Sequence, residues 1–321
     1  MQDIDDKAGR LRQGIRWIAL LGVIVVLLVT STSAFMRVRA AGLGCANWPA
    51  CYGPDHAITV EPVPAARLLH RVSATLAGAC AAAIAVLALA RPRQLRRELL
   101  IAVLLLSVTV FLAALGRSTP GAKLPAIALG NVLGGMLMAA LFAWVALGPR
   151  RGAPTSMGTR LISGSALFVL FVQIALGVLT SASYSSLACP AFPTCTSTAT
   201  WLPFHLQDFD PWRHLQDFDP WRVAGASPAV HIAHRYGSLA AALAVFLVAW
   251  RLGAAYPALR LFLIAVLLAQ LALGAFLILG NLPLPLAVAH NLGAALLWLA
   301  AVTAHHRLGR ALQNEPAEKK I

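Results

Sequence analysis

The sequence predicts an all-α polytopic membrane protein, with eight transmembrane helices arranged as two pseudosymmetric four-helix bundles. Three observations predict it. Of the 321 residues, 59% are apolar and 12% charged, with a mean hydropathy of +0.74, whereas soluble domains carry about 25% charged residues. Apolar runs of the length a bilayer requires, about 20 residues, recur along the chain. Features of the first half reappear four helices later. Together these exclude a water-soluble globular protein and a disordered chain.

The elements follow in order. Apolar runs occur at roughly 16–35, 66–90, 99–116, 124–147, 161–182, 229–250, 260–280 and 284–304. The first follows Lys7, Arg10, Arg12 and Arg16, a flank shared with signal peptides, and Thr32-Ser33-Ala34 would be a poor cleavage site. It is longer than a usual signal-peptide core, so an uncleaved helix is expected. Short connections at 91–97, 148–160 and 251–260 join helices on the side of both termini, and most of the Lys and Arg lie there, while Asp and Glu divide evenly. By the positive-inside rule that side is cytoplasmic. The net charge of +14 is thus read as an orientation signal, and no nucleic-acid partner is expected; the partner is a lipid bilayer. Two longer segments, 36–65 and 183–228, face outward.

The halves correspond residue by residue at several places. Leu69-His70-Arg71 opens helix 2 as Ala233-His234-Arg235 opens helix 6. Cys45 and Cys51 precede the first as Cys189 and Cys195 precede the second. In helix 4, Gly130-Asn131-Val132-Leu133-Gly134-Gly135 aligns with Ala289-His290-Asn291-Leu292-Gly293-Ala294 in helix 8. Repeats of four spans share one orientation, so their axis runs along the membrane normal. Two domains are expected, 1–150 and 151–321. A second repeat is local: 205–213 reads HLQDFDPWR, and 214–222 reads it again. A recent duplication in a tolerant loop explains it; a metal or partner site built from His205, His214 and the aspartates is the alternative.

Among the nine histidines, His70, His234 and His290 lie near the external ends of apolar helices. Intramembrane ionisable groups are costly and face a bundle interior with a partner. Neutral imidazole can ligate haem iron, and His234 and His290, on two helices of one bundle, suit a bis-imidazole site. Hydrogen bonding to a neighbouring helix is the alternative. His231 is read as structural, His56 as solvated, and His305 and His306 as interfacial. Arg71 and Arg235 suit a haem propionate, since guanidinium matches a carboxylate, or lipid phosphate. In an oxidising compartment Cys45–Cys51 and Cys189–Cys195 read as disulfides; a four-cysteine zinc site is the alternative. Cys80 is read as packing.

These residues resemble the haem A synthase family, membrane enzymes that convert haem O to haem A for cytochrome oxidase. The carriers are Gly42-Leu43-Gly44-Cys45-Ala46-Asn47-Trp48-Pro49-Ala50-Cys51-Tyr52-Gly53, Cys189-Pro190-Ala191-Phe192-Pro193-Thr194-Cys195, Ala233-His234-Arg235, and His290 followed by Leu292-Gly293. The resemblance covers nearly the whole chain. It implies haem b held by His234 and His290, and substrate haem in the N-terminal half at His70. It implies oxidation of a porphyrin methyl group to formyl by successive hydroxylations, with electrons passed onward. The partners would be a haem O donor, resembling a haem O synthase, and an electron acceptor, in a bacterial inner membrane; homo-oligomerisation is left open. Two positions depart from the family pattern: Arg67 stands where a glutamate is expected, and Asn131 where a histidine is expected. With His70 they are the candidate catalytic set. The alternative function is a non-catalytic haem-b protein that carries electrons or delivers haem.

Overall fold

The computed structural model describes residues 2–40, 64–118, 125–149, 156–183, 185–186, 189, 191–193, 195, 205–212 and 228–309. Among the described residues, eight helices are long and apolar enough to cross a membrane: α1 (Gln2–Ala40), α2 (Pro64–Leu89), α3 (Arg96–Ser118), α4 (Pro125–Leu147), α5 (Met157–Ala182), α6 (Pro228–Leu252), α7 (Pro257–Leu279) and α8 (Leu284–Leu308). The described residues contain no strand. Cys45, Cys51 and the motif around them, His56, His214 and the second nonapeptide copy lie outside the described residues.

Helix boundaries follow local chemistry. Ser156 caps α5, its Oγ accepting from Thr159 N at 3.3 Å, and α7 opens on Pro257, whose missing N–H is harmless in a first turn. The α7–α8 turn is tight. Gly280 N donates to Phe276 O at 2.9 Å and Leu282 N to Leu277 O at 2.7 Å. Asn281 and Leu282 both take left-handed φ values of 59°. This sharp reversal sets α8 back along α7, so that Gln270 meets His290. The largest departure from the sequence expectation is α1, which runs well beyond 16–35 at both ends. Its polar flanks contain no proline before residue 41, so nothing stops the backbone ladder where the apolar run ends.

Packing is a network of neighbouring helices. α1 lies on α2 and α4, and α3 completes contacts with α2 and α4. α5 lies on α6 and α8, and α7 completes contacts with α6 and α8. The buried apolar residues form two clusters, one including Ile15, Ile84, Leu105 and Phe142, the other Val245, Leu252, Leu263 and Trp298. α3 and α7 are the most apolar of the spans, yet they are among the least buried. Lipid as solvent explains this, because an apolar side chain turned outward costs nothing in a hydrocarbon bilayer.

Along the seam, α8 touches α1 and α4, and α4 touches α5. Directed bonds cross it: Trp298 Nε1 donates to Met136 O at 2.9 Å, Asn291 Nδ2 to Thr30 O at 3.3 Å, and Arg37 Nε to Ser181 Oγ at 3.1 Å. At the end where α1 begins, Arg12 pairs with the buried Glu98 at 3.7 Å, and Arg97 donates to Trp144 O at 2.7 Å. His306 is buried there, with Nε2 3.0 Å from Gly148 O, and His305 Nδ1 lies 2.9 Å from Ser163 Oγ. These two histidines join helix ends.

Candidate functional site

His234 sits in the second turn of α6 and His290 in the second turn of α8. Their imidazole centroids are 6.5 Å apart with planes at 84°. Both line a cavity of about 1030 Å³, walled mainly by aliphatic residues of α5 to α8 and reached by Arg37 and Val38 of α1. Two imidazoles are therefore brought together in an apolar enclosure, a donor pair that could hold a metal.

Each histidine is held from the neighbouring helix by a glutamine that sequence reasoning overlooked. Gln173 Nε2 on α5 donates to His234 O at 2.9 Å and stands 3.0 Å from His234 Nδ1. Gln270 Nε2 on α7 donates to His290 O at 2.9 Å. Arg37 was also overlooked, because an arginine at the end of a first helix reads as an interfacial charge. The signals available were the cationic residue itself and the shared Gln-x-x-x-Gly spacing in helices 5 and 7.

Arg235 lines the cavity edge, yet much of its guanidinium is committed to the loop above. It donates to Cys189 O and Ala191 O at 2.9 Å and to Pro193 O at 3.3 Å. Its Nε also donates to His231 Nε2 at 3.3 Å, and its charge lies 5.9 Å from the Phe192 ring centre. Cys189 and Cys195 are bonded to each other. The four-thiolate zinc reading thereby loses two ligands, and no group of three or more metal-binding side chains occurs among the described residues. Cys80 is free and buried. His231, 5% exposed, supports Arg235.

Arg235→Ala should free the Cys189–Cys195 loop. Hydrogen bonds to a charged group contribute about 1.5–3 kcal/mol each, so the loop carbonyls lose a substantial anchor. Reduction of this disulfide by a mild thiol, followed by mass-tag labelling, should be several-fold faster than in the unaltered protein. Arg235→Lys should restore little, because one ammonium cannot span three carbonyls as the guanidinium fork does. Equal reduction rates in all three proteins would show that the loop does not depend on Arg235.

In the N-terminal half, His70 is half-buried on α2, with Nδ1 3.3 Å from Val29 O and 3.4 Å from Thr32 Oγ1 of α1. A carbonyl only accepts, so this bond places the ring proton on Nδ1 and leaves Nε2 bare for a ligand. Arg67 and Arg71 are exposed on α2, and Asn131 is half-buried on α4. Of the first nonapeptide copy, Leu206–Phe209 forms a single 3₁₀ turn with His205 exposed. Pro211 O then accepts from Ala126 N at 2.8 Å, meeting one of the open donors at the start of α4.

Comparison with known proteins places the chain in a family. The model of the COX15-CtaA family, described as cytochrome oxidase assembly protein, matches residues 66–302. The Heme A synthase of Shewanella oneidensis is 34% identical over 323 residues, covering 91% of this chain and 96% of that protein. The family match spans both halves of the chain, so the chain belongs to the COX15-CtaA family of cytochrome oxidase assembly proteins.

Proposed function

We propose that this protein is a haem A synthase, oxidising a methyl group of haem O to formyl by successive hydroxylations. The observation that carries the reading is the pair of facing imidazoles in an apolar cavity. Two metal–imidazole bonds of about 2 Å each, each extended by roughly 1.1 Å from ring nitrogen to ring centre, would put the centroids about 6.2 Å apart. The observed separation is 6.5 Å. The residues therefore fit a haem b between His234 and His290. Bound there, haem b supplies one-electron transfer.

The chain's own residues divide the remaining work. His234 and His290 would hold the cofactor between α6 and α8. Arg37 keeps its terminal nitrogens for an anionic group while Nε rests on Ser181, so it serves a propionate carboxylate more freely than Arg235, whose donors hold the loop. On the other side, His70 offers Nε2 to the substrate haem, with its ring oriented by the Val29 carbonyl. Asn131 contributes a weaker oxygen or amide donor than a histidine would, leaving a coordination position that water can take. The two halves act as pseudosymmetric units, 1–150 binding substrate and 151–321 binding haem b. The ends rich in Arg12, Arg97 and Arg251 face the cytoplasm of a bacterial inner membrane, and a membrane haem O donor and an electron acceptor complete the system.

The test is production. Cells lacking haem A should accumulate it when this chain is expressed with a haem O supply, as read by pigment extraction and chromatography. A bis-histidine haem b spectrum with no haem A would sink the enzyme reading. That result would favour an electron-carrying or haem-delivering protein, which the positions of Arg67 and Asn131 would then explain.

A further inference from the structure

Gln173 and Gln270 do the same thing in two separate helix hairpins. Each amide nitrogen donates to the backbone carbonyl of the histidine opposite, at 2.9 Å in both cases. The sequence around them repeats: Gln173 and Gly177 on α5 match Gln270 and Gly274 on α7, while His234 and Gly237 on α6 match His290 and Gly293 on α8. Three of these four glycines leave no room for a Cβ, while the fourth, Gly274, would take one in ordinary contact with His290. A Cβ at position 177 would stand 2.9 Å from His234 Cε1, and one at 274 would stand 3.4 Å from His290 Cε1. A Cβ at 237 or 293 would collide with the amide oxygen of Gln173 or Gln270. Close packing of membrane helices needs small residues, but it does not call for the same glutamine against the same histidine twice.

Polar accounting gives the repeat a meaning. Oε1 of Gln173, Oε1 of Gln270 and Nδ1 of His290 are buried without a hydrogen-bond partner among the described residues. An unmet buried polar atom costs about 1–3 kcal/mol, so three around one cavity ask for an explanation. An imidazole that ligates through Nε2 carries its proton on Nδ1, and that proton needs an acceptor. A carboxylate could accept it but would bury a charge at membrane depth. An amide oxygen accepts it without one. At His290 the donor site and the acceptor oxygen are both unmet on facing residues. At His234 one amide nitrogen serves both Nδ1, at 3.0 Å, and the backbone carbonyl, at 2.9 Å, so the half-turn that brings Oε1 to Nδ1 gives up the carbonyl bond.

We propose that Gln173 and Gln270 are positioning residues for His234 and His290. Each amide grips its histidine's helix through its nitrogen in this structure and turns to present its oxygen to the Nδ1 proton when that ring ligates iron, fixing the ring's angle and its donor strength. This rests on the haem b reading above.

The experiment uses the full-length protein purified with haem b, comparing Gln173→Leu, Gln270→Leu, Gln173→Glu and Gln270→Glu. The leucine variants should retain haem b about tenfold less tightly, the scale of loss when a ligand's supporting partner is removed. Their remaining spectrum should shift from low-spin to high-spin. The glutamate variants should stay low-spin with a lower midpoint potential, because a carboxylate pulls harder on the Nδ1 proton and strengthens the ring as a donor to oxidised iron. If the leucine variants fail to fold, the glutamate midpoints decide. Unaltered haem retention and spectra in foldable leucine variants, or unaltered midpoints in the glutamate variants, would overturn the assignment while His234→Ala still tests the haem site. A wild-type protein with no bis-imidazole spectrum would instead remove the haem b reading, and this assignment with it.

Discussion

His234→Ala or His290→Ala is expected to abolish the low-spin haem b absorbance of the purified protein. The cavity is walled mostly by aliphatic side chains, and the two imidazoles face each other across 6.5 Å within it. Losing either ring would leave a bound haem iron with one imidazole from the protein. An alanine methyl cannot replace it, and water recruited to the gap would be a weaker donor in an apolar enclosure. Low-spin signal should fall more than about tenfold, with any retained haem turning high-spin. Because each ring is also packed against a glycine of the next helix, the substitution removes bulk and creates no clash. Glycine-to-alanine changes at 177 would act by the opposite route.

His70→Ala is expected to leave that low-spin signal largely intact and to remove haem A formation. His70 belongs to α2 and is oriented from α1 through Val29, away from the cavity that His234 and His290 line. Loss of a ligand that positions substrate costs on the order of 10²-fold in rate when the reacting atom shifts by about 1 Å. The comparison therefore separates the two halves: pigment extraction reports the N-terminal site and the reduced-minus-oxidised spectrum reports the C-terminal one. Loss of haem b from His70→Ala alone would reverse the allocation of the halves.

Much of this was legible in the sequence, for reasons that differ by residue. Eight spans could be read because a bilayer imposes a length and an apolar composition on each, and all eight are present. The His234–His290 pairing could be read because two imidazoles at equal depth in one bundle have few alternative uses. Gln173 and Gln270 escaped notice because one amide in an apolar helix is an ordinary interhelical contact, and its partner is a backbone atom that no sequence pattern displays. Arg37 escaped because its target lies beyond its own four-helix group. The extra turns of α1 escaped because hydropathy marks where lipid begins, whereas a helix ends only where its hydrogen-bond ladder is interrupted.

The bonds along the seam also bear on how the protein is made. α8 follows the other seven helices in the chain, yet it carries Trp298, Asn291 and His306, whose partners lie on α4, on α1 and in the turn after α4. Met136 O, Thr30 O and Gly148 O must therefore wait through insertion of the intervening spans before these contacts can form. Closing the seam and completing the cavity are therefore one event, because the helix whose docking forms these bonds is also the helix that brings His290 to His234.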